Sequence, residues 1–242
     1  MPGAPLGSVL ITPEARAREL YVALVPNGTT PAAFPEPVTI TVGATALAAG
    51  TAPAALTVTS VTLPISIQAG QVLGFKNATG GTFLFEVTEA AAAGATTELT
   101  GIAREGIPAA AEAFYPARFE LATSLDTSET TGTSTFETFD HTAGAEVSRG
   151  ELTNSISTGA GAAYYNAGLE TLKVAQRGGR DIAWVIEQPN PDSDAFDEPP
   201  YEWGVGIISD LSSAGGVADK LTRTVGIAIQ GGINEVKPVL AS

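Results

Sequence analysis

The only histidine, His141, follows Asp140 in the stretch FDHTAGAE, and this pair is the first place to look for chemistry. A histidine held by a carboxylate is the base of serine hydrolases, but the ring must also touch a nucleophilic serine. No G-x-S-x-G elbow supplies that serine, and the absence of cysteine excludes a thiolate nucleophile. We therefore expect His141 to be a water-exposed loop residue without a catalytic role.

A cluster of carboxylates in PNPDSDAFDEPPYE, residues 189–202, is the best candidate for a metal site. Ca²⁺ prefers several carboxylate oxygens from one flexible loop. This stretch lacks the glycine and the distal glutamate of an EF-hand, and its prolines stiffen it. We expect a solvated acidic loop, on the surface or at a subunit contact, that binds no metal needed for folding. The possible ligands are Asp192, Asp194, Asp197, Glu198 and Glu202.

The charge balance argues against a protein that grips nucleic acid. The chain has 26 acids and 12 bases, which gives a formal net charge of −14. Phosphate binding depends on Lys and Arg that release condensed counterions, and aromatic residues for base stacking make up only 7%. No G-x-x-x-x-G-K-[ST] or strand–G-x-G-x-x-G–helix unit supports a nucleotide site. A protein that lies close to DNA without holding it remains compatible with this composition.

The composition favours a soluble β protein. Apolar residues make up 44% of the 242 residues, and the 27 Gly and 16 Pro are typical of short strands joined by many turns. No apolar run approaches the ~18 residues that cross a bilayer, and no Sec-type signal is visible at the N-terminus. We expect synthesis in the cytoplasm, no catalytic residue, no cofactor and no metal.

The last strand predicted in the chain has two chemically different faces. In KLTRTVGIAIQGGINEV, residues 220–236, one alternate set is mostly apolar and the other is small, neutral and hydroxylated. This period of two predicts a strand with one buried face. The apolar set is Leu221, Arg223, Val225, Ile227 and Ile229, and the small set is Thr222, Thr224, Gly226, Ala228 and Gln230.

One helix is predicted, over residues 160–174 and stopped by Gly178 and Gly179. Its Leu169 and Leu172 should pack under the sheet that contains Trp184, because a single helix in a β chain must bury its apolar stripe. The fold class predicted is mainly β, an antiparallel sandwich or barrel with one packed α-helix and an inserted small β lobe.

Three segments are predicted. Residues 1–37 would supply N-terminal strands and a proline-rich linker, residues 38–115 an inserted small β module, and residues 116–242 the main β domain. Within the insert, the tetrapeptides at 67–70 and 107–110 (IQAG and IPAA) resemble each other at a distance of forty residues. This echo predicts two similar turns in one compact module.

The closing strands resemble the C-terminal signature of bacteriophage major tail tube proteins. GVGIIS at 204–209 is similar to the first half of that signature, and LTRTV at 221–225 with IQGG at 229–232 is similar to the second. LATSLDTSETT at 121–131 resembles the family's S-L-[DN] strand, and GLETLKVAQRGGRDIAWVIE resembles its helix-to-strand segment. The insert resembles a small β element common in phage structural proteins. Together these stretches cover most of residues 60–236.

The resemblance implies hexameric rings stacked into a hollow tail tube, in which sheets pair across subunits to form a β-barrel around the channel. It implies tail terminator, tape-measure and baseplate proteins as partners, double-stranded DNA that passes without specific binding, and no membrane partner. The location implied is the virion tail, assembled in the host cytoplasm. A small, uncharged face would then line the channel and leave the duplex free to slide.

Channel-lining candidates follow from this expectation and from the excess of acids in residues 116–242, which contain 18 acids and 8 bases. They are Asp126, Glu129, Asp210, Thr222, Thr224 and Gln230. Two alternatives remain open. One is another phage structural protein, such as a capsid decoration or head–tail joining protein. The other is a secreted carbohydrate-binding β-sandwich that binds Ca²⁺ through the 192–202 loop.

Overall fold

The computed structural model describes residues 18–119, 122–136, 146–161, 166–187, 201–214 and 222–236. These residues form two antiparallel sheets and one helix, which confirms the predicted mainly β fold class. In chain order the elements are β1 (Glu19–Leu24), β2 (Val38–Thr41), β3 (Ala54–Leu63), β4 (Val72–Lys76), β5 (Thr82–Val87), β6 (Gly94–Ala103), β7 (Glu112–Tyr115), β8 (Ala117–Phe119), β9 (Ala122–Phe136), β10 (Glu146–Gly161), α1 (Ala167–Gly178), β11 (Ile182–Glu187), β12 (Tyr201–Ala214) and β13 (Thr222–Val236).

The seven-stranded sheet has the order β8-β1-β11-β12-β13-β10-β9. Its third strand, β11, has the sequence IAWVIE and is buried on both faces, because α1 covers one face and residues of the smaller unit approach the other. On the helix side, Leu169 and Leu172 pack in one cluster with Trp184, as the sequence predicted. On the opposite side, Ala183 packs with Val205 and with the partly buried Ile65, which follows β3.

The bounds of α1 correct the predicted helix, which was placed at residues 160–174. Asn166 starts the helix, since its side chain accepts a hydrogen bond from the Leu169 amide at 3.0 Å. The preceding Gly159–Gly161 stretch belongs to β10, where pairing with β13 outweighs the helix propensity of alanine. The predicted stop at Gly178 and Gly179 is confirmed, although the helix continues to Gly178, past the predicted end at residue 174. Gly179 is left-handed at φ 57°, and its amide bonds back to the last turn.

The six-stranded sheet has the order β2-β7-β4-β5-β6-β3, and its edge strands β2 and β3 meet at a bridge between Val42 and Val58. We call this closed unit the small barrel. Its core is separate from the α1 core and contains Phe75, Phe85 and Tyr115. Burial raises the pKa of the Tyr115 hydroxyl, which donates to the Ser66 carbonyl at 2.7 Å. The barrel strands fall within the predicted insert, residues 38–115; that the insert is a domain of its own stays a prediction.

The similar tetrapeptides at 67–70 and 107–110 form two equivalent turns. Ile67 and Ile107 are both fully buried and both form an isolated bridge, and each turn leads directly into a strand. Gly70 and Ala110 occupy the same position of the turn, with φ of 88° and 57°. The small barrel therefore contains two copies of one structural unit, β2–β4 and β5–β7.

The two units exchange strands. β2 of the first pairs with β7 of the second, β5 of the second pairs with β4 of the first, and β3 pairs with its own counterpart β6. The bridges follow the same exchange, since Leu47 meets Ile107 and Ala91 meets Ile67. This pairing gives the barrel an approximate two-fold symmetry that neither unit could form alone.

Hydrogen bonds of Gln71 connect the small barrel to β1 and α1. Its buried side chain accepts the Leu24 amide at 2.8 Å and donates to the Thr171 hydroxyl at 3.0 Å, so it joins β1 and α1 to the barrel. The equivalent position in the second unit is Ala111, which has no such side chain. A buried amide whose bonds are all made inside the protein is costly to remove, because its partners are left unsatisfied. Of the two related sides of the barrel, only the one that contains Gln71 therefore makes these hydrogen bonds to β1 and α1.

The paired turns supply a matched stability test. Gly70→Ala should lower the free energy of unfolding by about 2 kcal/mol, because a left-handed alanine is strained and its Cβ would lie 3.1 Å from Val174 Cγ1. Ala110→Gly should leave stability unchanged or raise it by up to about 1 kcal/mol, since relief of strain offsets the greater entropy of the unfolded chain. Urea denaturation of both variants measures the difference. Equal losses would contradict the equivalence of the turns.

Candidate assembly surface

Four long strands extend beyond the part of the sheet that β1 and β11 reach. β11 pairs with β12 only as far as Ile182 opposite Gly206, and the following residues of β12, Ile207–Ala214, pair with β13 alone. β13 continues to pair with β10, and β10 with β9. We call this part of β12, β13, β10 and β9 the four-stranded extension.

The extension has one apolar and one small polar face, as the alternation of the last strand predicted. Val225, Ile227 and Ile156 are fully buried on the side of α1. On the other side, exposed side chains come from all four strands; they are Ser128, Ser157, Asp210, Ser212 and Thr224. We call this side the small polar face. Its largest apolar group is Ile207, which is 42% exposed.

A bulge in β12 interrupts the pairing within the extension. The pairing shifts between Ile208 and Asp210, which leaves Ser209 as the extra residue opposite Gly226. A Cβ on Gly226 would lie 2.8 Å from the Ser209 Oγ, so a residue larger than glycine would require the Ser209 side chain to move. The glycine in the middle of the last strand therefore leaves room for the side chain of the bulged residue.

The register brings four of the six predicted channel residues onto this face. Asp210 and Asp126 lie at the ends of one cross-strand row that passes through Gly226 and Ser157. Thr222 and Thr224 occupy the next positions of the same alternate set on β13. The assignment of these residues to a channel stays a prediction.

The remaining two predicted residues have different positions. Gln230 belongs to the same alternate set of β13 but pairs with Val205, beyond the extension. Glu129 pairs with Asn154, one residue out of phase with Ser128, so the register places it in the opposite alternate set. The structure therefore separates these two from the row that contains Asp126 and Asp210.

Sequence reasoning missed the contribution of β10. Ser155 and Ser157 lie on the small polar face, and the Ser155 hydroxyl is 2.9 Å from that of Ser128 on β9. The signal is present in NSISTG, where Ile156 alternates with serines, but the glycines and alanines that follow predict the start of a helix. Asp210 is exposed and accepts a hydrogen bond from the Ser212 hydroxyl at 3.2 Å.

Both outer edges of the extension lack a partner strand within the described residues. These edges are Ile207–Ala214 of β12 and the 15 residues of β9. An edge presents unpaired N–H and C=O groups that can pair with another chain, and proteins commonly block such edges with proline or lysine. Neither edge contains either residue. They are consequently open to pairing with a further strand.

At the end of the sheet formed by β1 and β11, the carboxylates are paired with neighbouring side chains. Glu19 lies directly opposite Glu187, and Arg118 forms a salt bridge with Glu19. The Tyr21 hydroxyl donates to Glu19 at 2.7 Å, and the Tyr201 hydroxyl donates to Glu187 at 3.1 Å. Burial first, and then these carboxylates, raise the pKa of both tyrosines, which keeps them protonated as donors.

Two candidate sites fall outside this description. His141, Asp140 and four of the five possible metal ligands (Asp192, Asp194, Asp197 and Glu198) lie outside the described residues. The fifth, Glu202, lies on β12. In the described part of the chain, no helix combines the length and the apolar character needed to cross a membrane.

Comparison with known proteins gives a similarity to a solved structure. No protein-family model matches the chain, and no curated protein matches it. It is similar to a chain of a solved structure described as "Tail of empty GTA particle computed with helical refinement, C6 symmetry", with 14% identity and a TM-score of 0.39. The match covers 49% of this chain and 84% of that one. A likeness of this size carries no argument about function.

The two faces of the extension differ in their expected contribution to stability. Ile227→Ala should lower the free energy of unfolding by about 2–5 kcal/mol, because it leaves a cavity beneath α1. Thr224→Ala, on the exposed face of the same strand, should change it by less than about 0.5 kcal/mol. Thermal and urea denaturation of the two variants checks this. A similar loss for both would mean that the small polar face is covered in the isolated subunit.

Proposed function

We propose that this chain is the structural subunit of a phage tail tube, assembled as stacked hexameric rings around a channel for DNA. The observation that supports the proposal best is the four-stranded extension, which combines two open edges with an exposed small polar face. Such a sheet fragment lacks neighbours on both sides. Identical copies of the chain could supply the missing neighbouring strands, so no second kind of protein is needed.

The strand directions are compatible with a closed ring. Neighbouring strands in β12-β13-β10-β9 are antiparallel, so β9 runs opposite to β12. If β9 of one copy lies beside β12 of the next, the ladder remains antiparallel through every subunit. A ring closed in this way leaves no open edge in the extension, which lowers the risk of uncontrolled aggregation through these strands.

The size of such a ring suits a wide channel. Six copies would contribute roughly 24 strands, and barrels of 16–18 strands already enclose a water-filled channel. At about 4.8 Å per strand the circumference would be ~115 Å and the backbone diameter ~37 Å, before strand tilt widens it. Small side chains on the inner face would keep most of this width open.

The chemistry of the small polar face suits a wall that DNA passes without binding. Its exposed, described side chains are serine, threonine, isoleucine and an aspartate, with no lysine or arginine among them. Duplex DNA carries one charge per ~1.7 Å, so cations repeated along a stacked tube would hold it at each layer. We infer that DNA can pass because this face offers no cation to bind its phosphates. The role of the subunit is then assembly and not catalysis.

The proposed location is the virion tail, after assembly in the host cytoplasm. The proposed partners are further copies of the chain, together with tail terminator, tape-measure and baseplate proteins at the ends and inside of the tube. The small barrel is attached through Gln71 to β1 and α1, beyond the four-stranded extension, and leaves the open edges free for pairing.

Proline on the β9 edge tests ring closure. Consecutive amides of a strand point to opposite sides, so one of Thr127→Pro and Ser128→Pro removes only an outward N–H and leaves the subunit folded. The variant that keeps the wild-type melting temperature should form no rings or tubes in negative-stain micrographs. Ala78→Pro, at the second position of a barrel turn, is the control and should form them. Normal tubes from the folded edge variant would contradict pairing through β9.

Lysine on the small polar face tests the channel. Tails built with Thr222→Lys and Thr224→Lys should assemble but eject DNA at least tenfold more slowly in low salt, because each ring adds phosphate contacts. Thr79→Lys, on an exposed turn of the small barrel, is the control and should eject normally. Ejection of the double variant at the wild-type rate would mean that this face does not line the channel.

A further inference from the structure

The outer edge of β9 is longer than the edge of β12 that would pair with it in a ring. β9 has 15 residues, whereas the open edge of β12 is limited to Ile207–Ala214, because the residues before Ile207 pair with β11. We call the contact between β9 of one copy and β12 of the next copy the seam. Several registers would satisfy the open edge of β12, and the pairing within one copy limits which of them a closed ring can adopt.

A straight continuation of the cross-strand rows gives the simplest register. The row that starts at Ser212 ends at Ser124, so these two residues would lie opposite each other across the seam. Asp126 would then lie directly opposite Asp210, since they end another row, and like charges directly opposite each other destabilise a sheet. A ring in this register would also have strands that run parallel to its axis, because no stagger accumulates around it.

Closed barrels need tilted strands and a staggered register, typically with a tilt of about 35–45°. In a symmetric ring every seam carries the same stagger, and it must be an even number of residues, since a slip of one residue would exchange the two faces. A stagger of four residues is ~13 Å at about 3.3 Å per residue, and the four strands of one copy span ~19 Å at about 4.8 Å each. These lengths correspond to a tilt of ~35°, whereas staggers of two and six residues correspond to ~19° and ~46°.

The start of β9 fixes the direction of the stagger. β9 begins at Ala122, only two residues after the end of β8, and β8 pairs with β1. A stagger of four residues towards this end would carry Ser212 of the next copy past Ala122, where no residue of β9 remains to pair with it. The same stagger towards the other end keeps the whole open edge of β12 beside β9.

We propose that Ile207–Ala214 of one copy pair with residues 126–132 on β9 of the neighbouring copy, four residues further along β9 than in the straight register. The proposal rests on the ring proposed above and specifies the surface through which its subunits bind each other. Ser212 then lies opposite Ser128. Asp126 and Asp210 are separated along the seam by four residues, or ~13 Å at about 3.3 Å per residue.

The stagger also gives a partner to the part of β9 that lies beyond the pairing of β10 with β13. That pairing ends at Ser155 opposite Ala228, so in the described part of the chain residues 129–136 of β9 pair only with β10. A two-stranded ribbon of this kind is marginally stable alone in water. In the proposed register, residues 129–132 gain β12 of the neighbouring copy as a third strand, which the straight register would not supply.

The backbone alternation shows which amides of β9 face the neighbouring copy. The Val25 amide donates to the Asp181 carbonyl at 3.1 Å, and this pair continues the ladder of β1 and β11. Bonded and non-bonded pairs alternate along an antiparallel ladder, so the phase of this bond carries through the register of the following strands. The amides that it turns away from β10 are those of Leu125, Thr127, Glu129 and Thr131. The proposed register pairs Thr131 with β12 and places Leu125 beyond Ala214, whereas the straight register pairs Leu125 and not Thr131.

A cysteine scan across the seam tests the register. The chain has no cysteine, so engineered pairs report without background. Directly opposite residues have Cβ atoms about 4.5–5.5 Å apart, and diagonal neighbours are about 7–8 Å apart, so oxidation selects the opposite pair. Ser212→Cys is combined in turn with one of four changes on β9, which correspond to staggers of zero, two, four and six residues. They are Ser124→Cys, Asp126→Cys, Ser128→Cys and Thr130→Cys.

After mild oxidation of assembled tubes, the pair of Ser212→Cys and Ser128→Cys should give a covalent ladder up to the hexamer on a denaturing gel. The other three pairs should stay monomeric. A ladder from one of those three in normal tubes would overturn the register and leave the ring in place. Normal tubes without a ladder from any pair would overturn the seam itself. Failure of the wild-type protein to form tubes would overturn the proposed function together with the register.

Hydrogen exchange supplies a second measurement that requires no variant. On assembly from the dilute subunit into tubes, the Thr131 amide should exchange at least tenfold more slowly, because it gains a hydrogen bond to the neighbouring copy. The Leu125 amide is the internal control and should keep its exchange rate. Slower exchange at Leu125, or no change at Thr131, would overturn the proposed register.

Discussion

The burial of α1 against one face of the seven-stranded sheet is the contact on which the other features depend. Leu169, Leu172 and Ala175 meet β1, β11 and β13 in a single core. Because strand residues alternate between faces, this contact fixes which set of side chains points away from the helix. The exposed positions of the small polar face, including Thr224 and Asp210, follow from it. A slip of one residue in β13 would exchange the two faces and place Val225 and Ile227 in water.

The small barrel covers part of the sheet on the face opposite α1. Near β1 and β11 the face opposite α1 is covered by barrel residues such as Ile65, so this region is closed to partners. Beyond Gly206 the cover ends, and the same face becomes exposed and rich in small side chains. The Gln71 contacts to Leu24 and Thr171 keep the boundary in place. One polar side chain therefore helps to decide where the covered sheet ends and the assembly surface begins.

The sequence predicted the features that depend on local alternation and capping. The two faces of β13, the burial of Trp184 and the end of α1 at Gly178 all follow from periodicity or from glycine at a helix end. The start of α1 could not be predicted in the same way, because Gly159–Gly161 is held in a strand by pairing with β13, a contact distant in sequence. The cross-strand row of Asp126 and Asp210 likewise depends on the bulge at Ser209, which the sequence does not specify. The exchange of strands in the small barrel was visible only as a repeated turn.

Cryo-electron microscopy of the wild-type protein at high concentration tests the central claim most directly. The account predicts hollow tubes of six-fold rings in which β9 of one subunit is hydrogen-bonded to residues 207–214 of the next, with Asp210 and Thr224 facing the channel. Discrete trimers, or rings in which β9 lies on the outside without a partner strand, would contradict it.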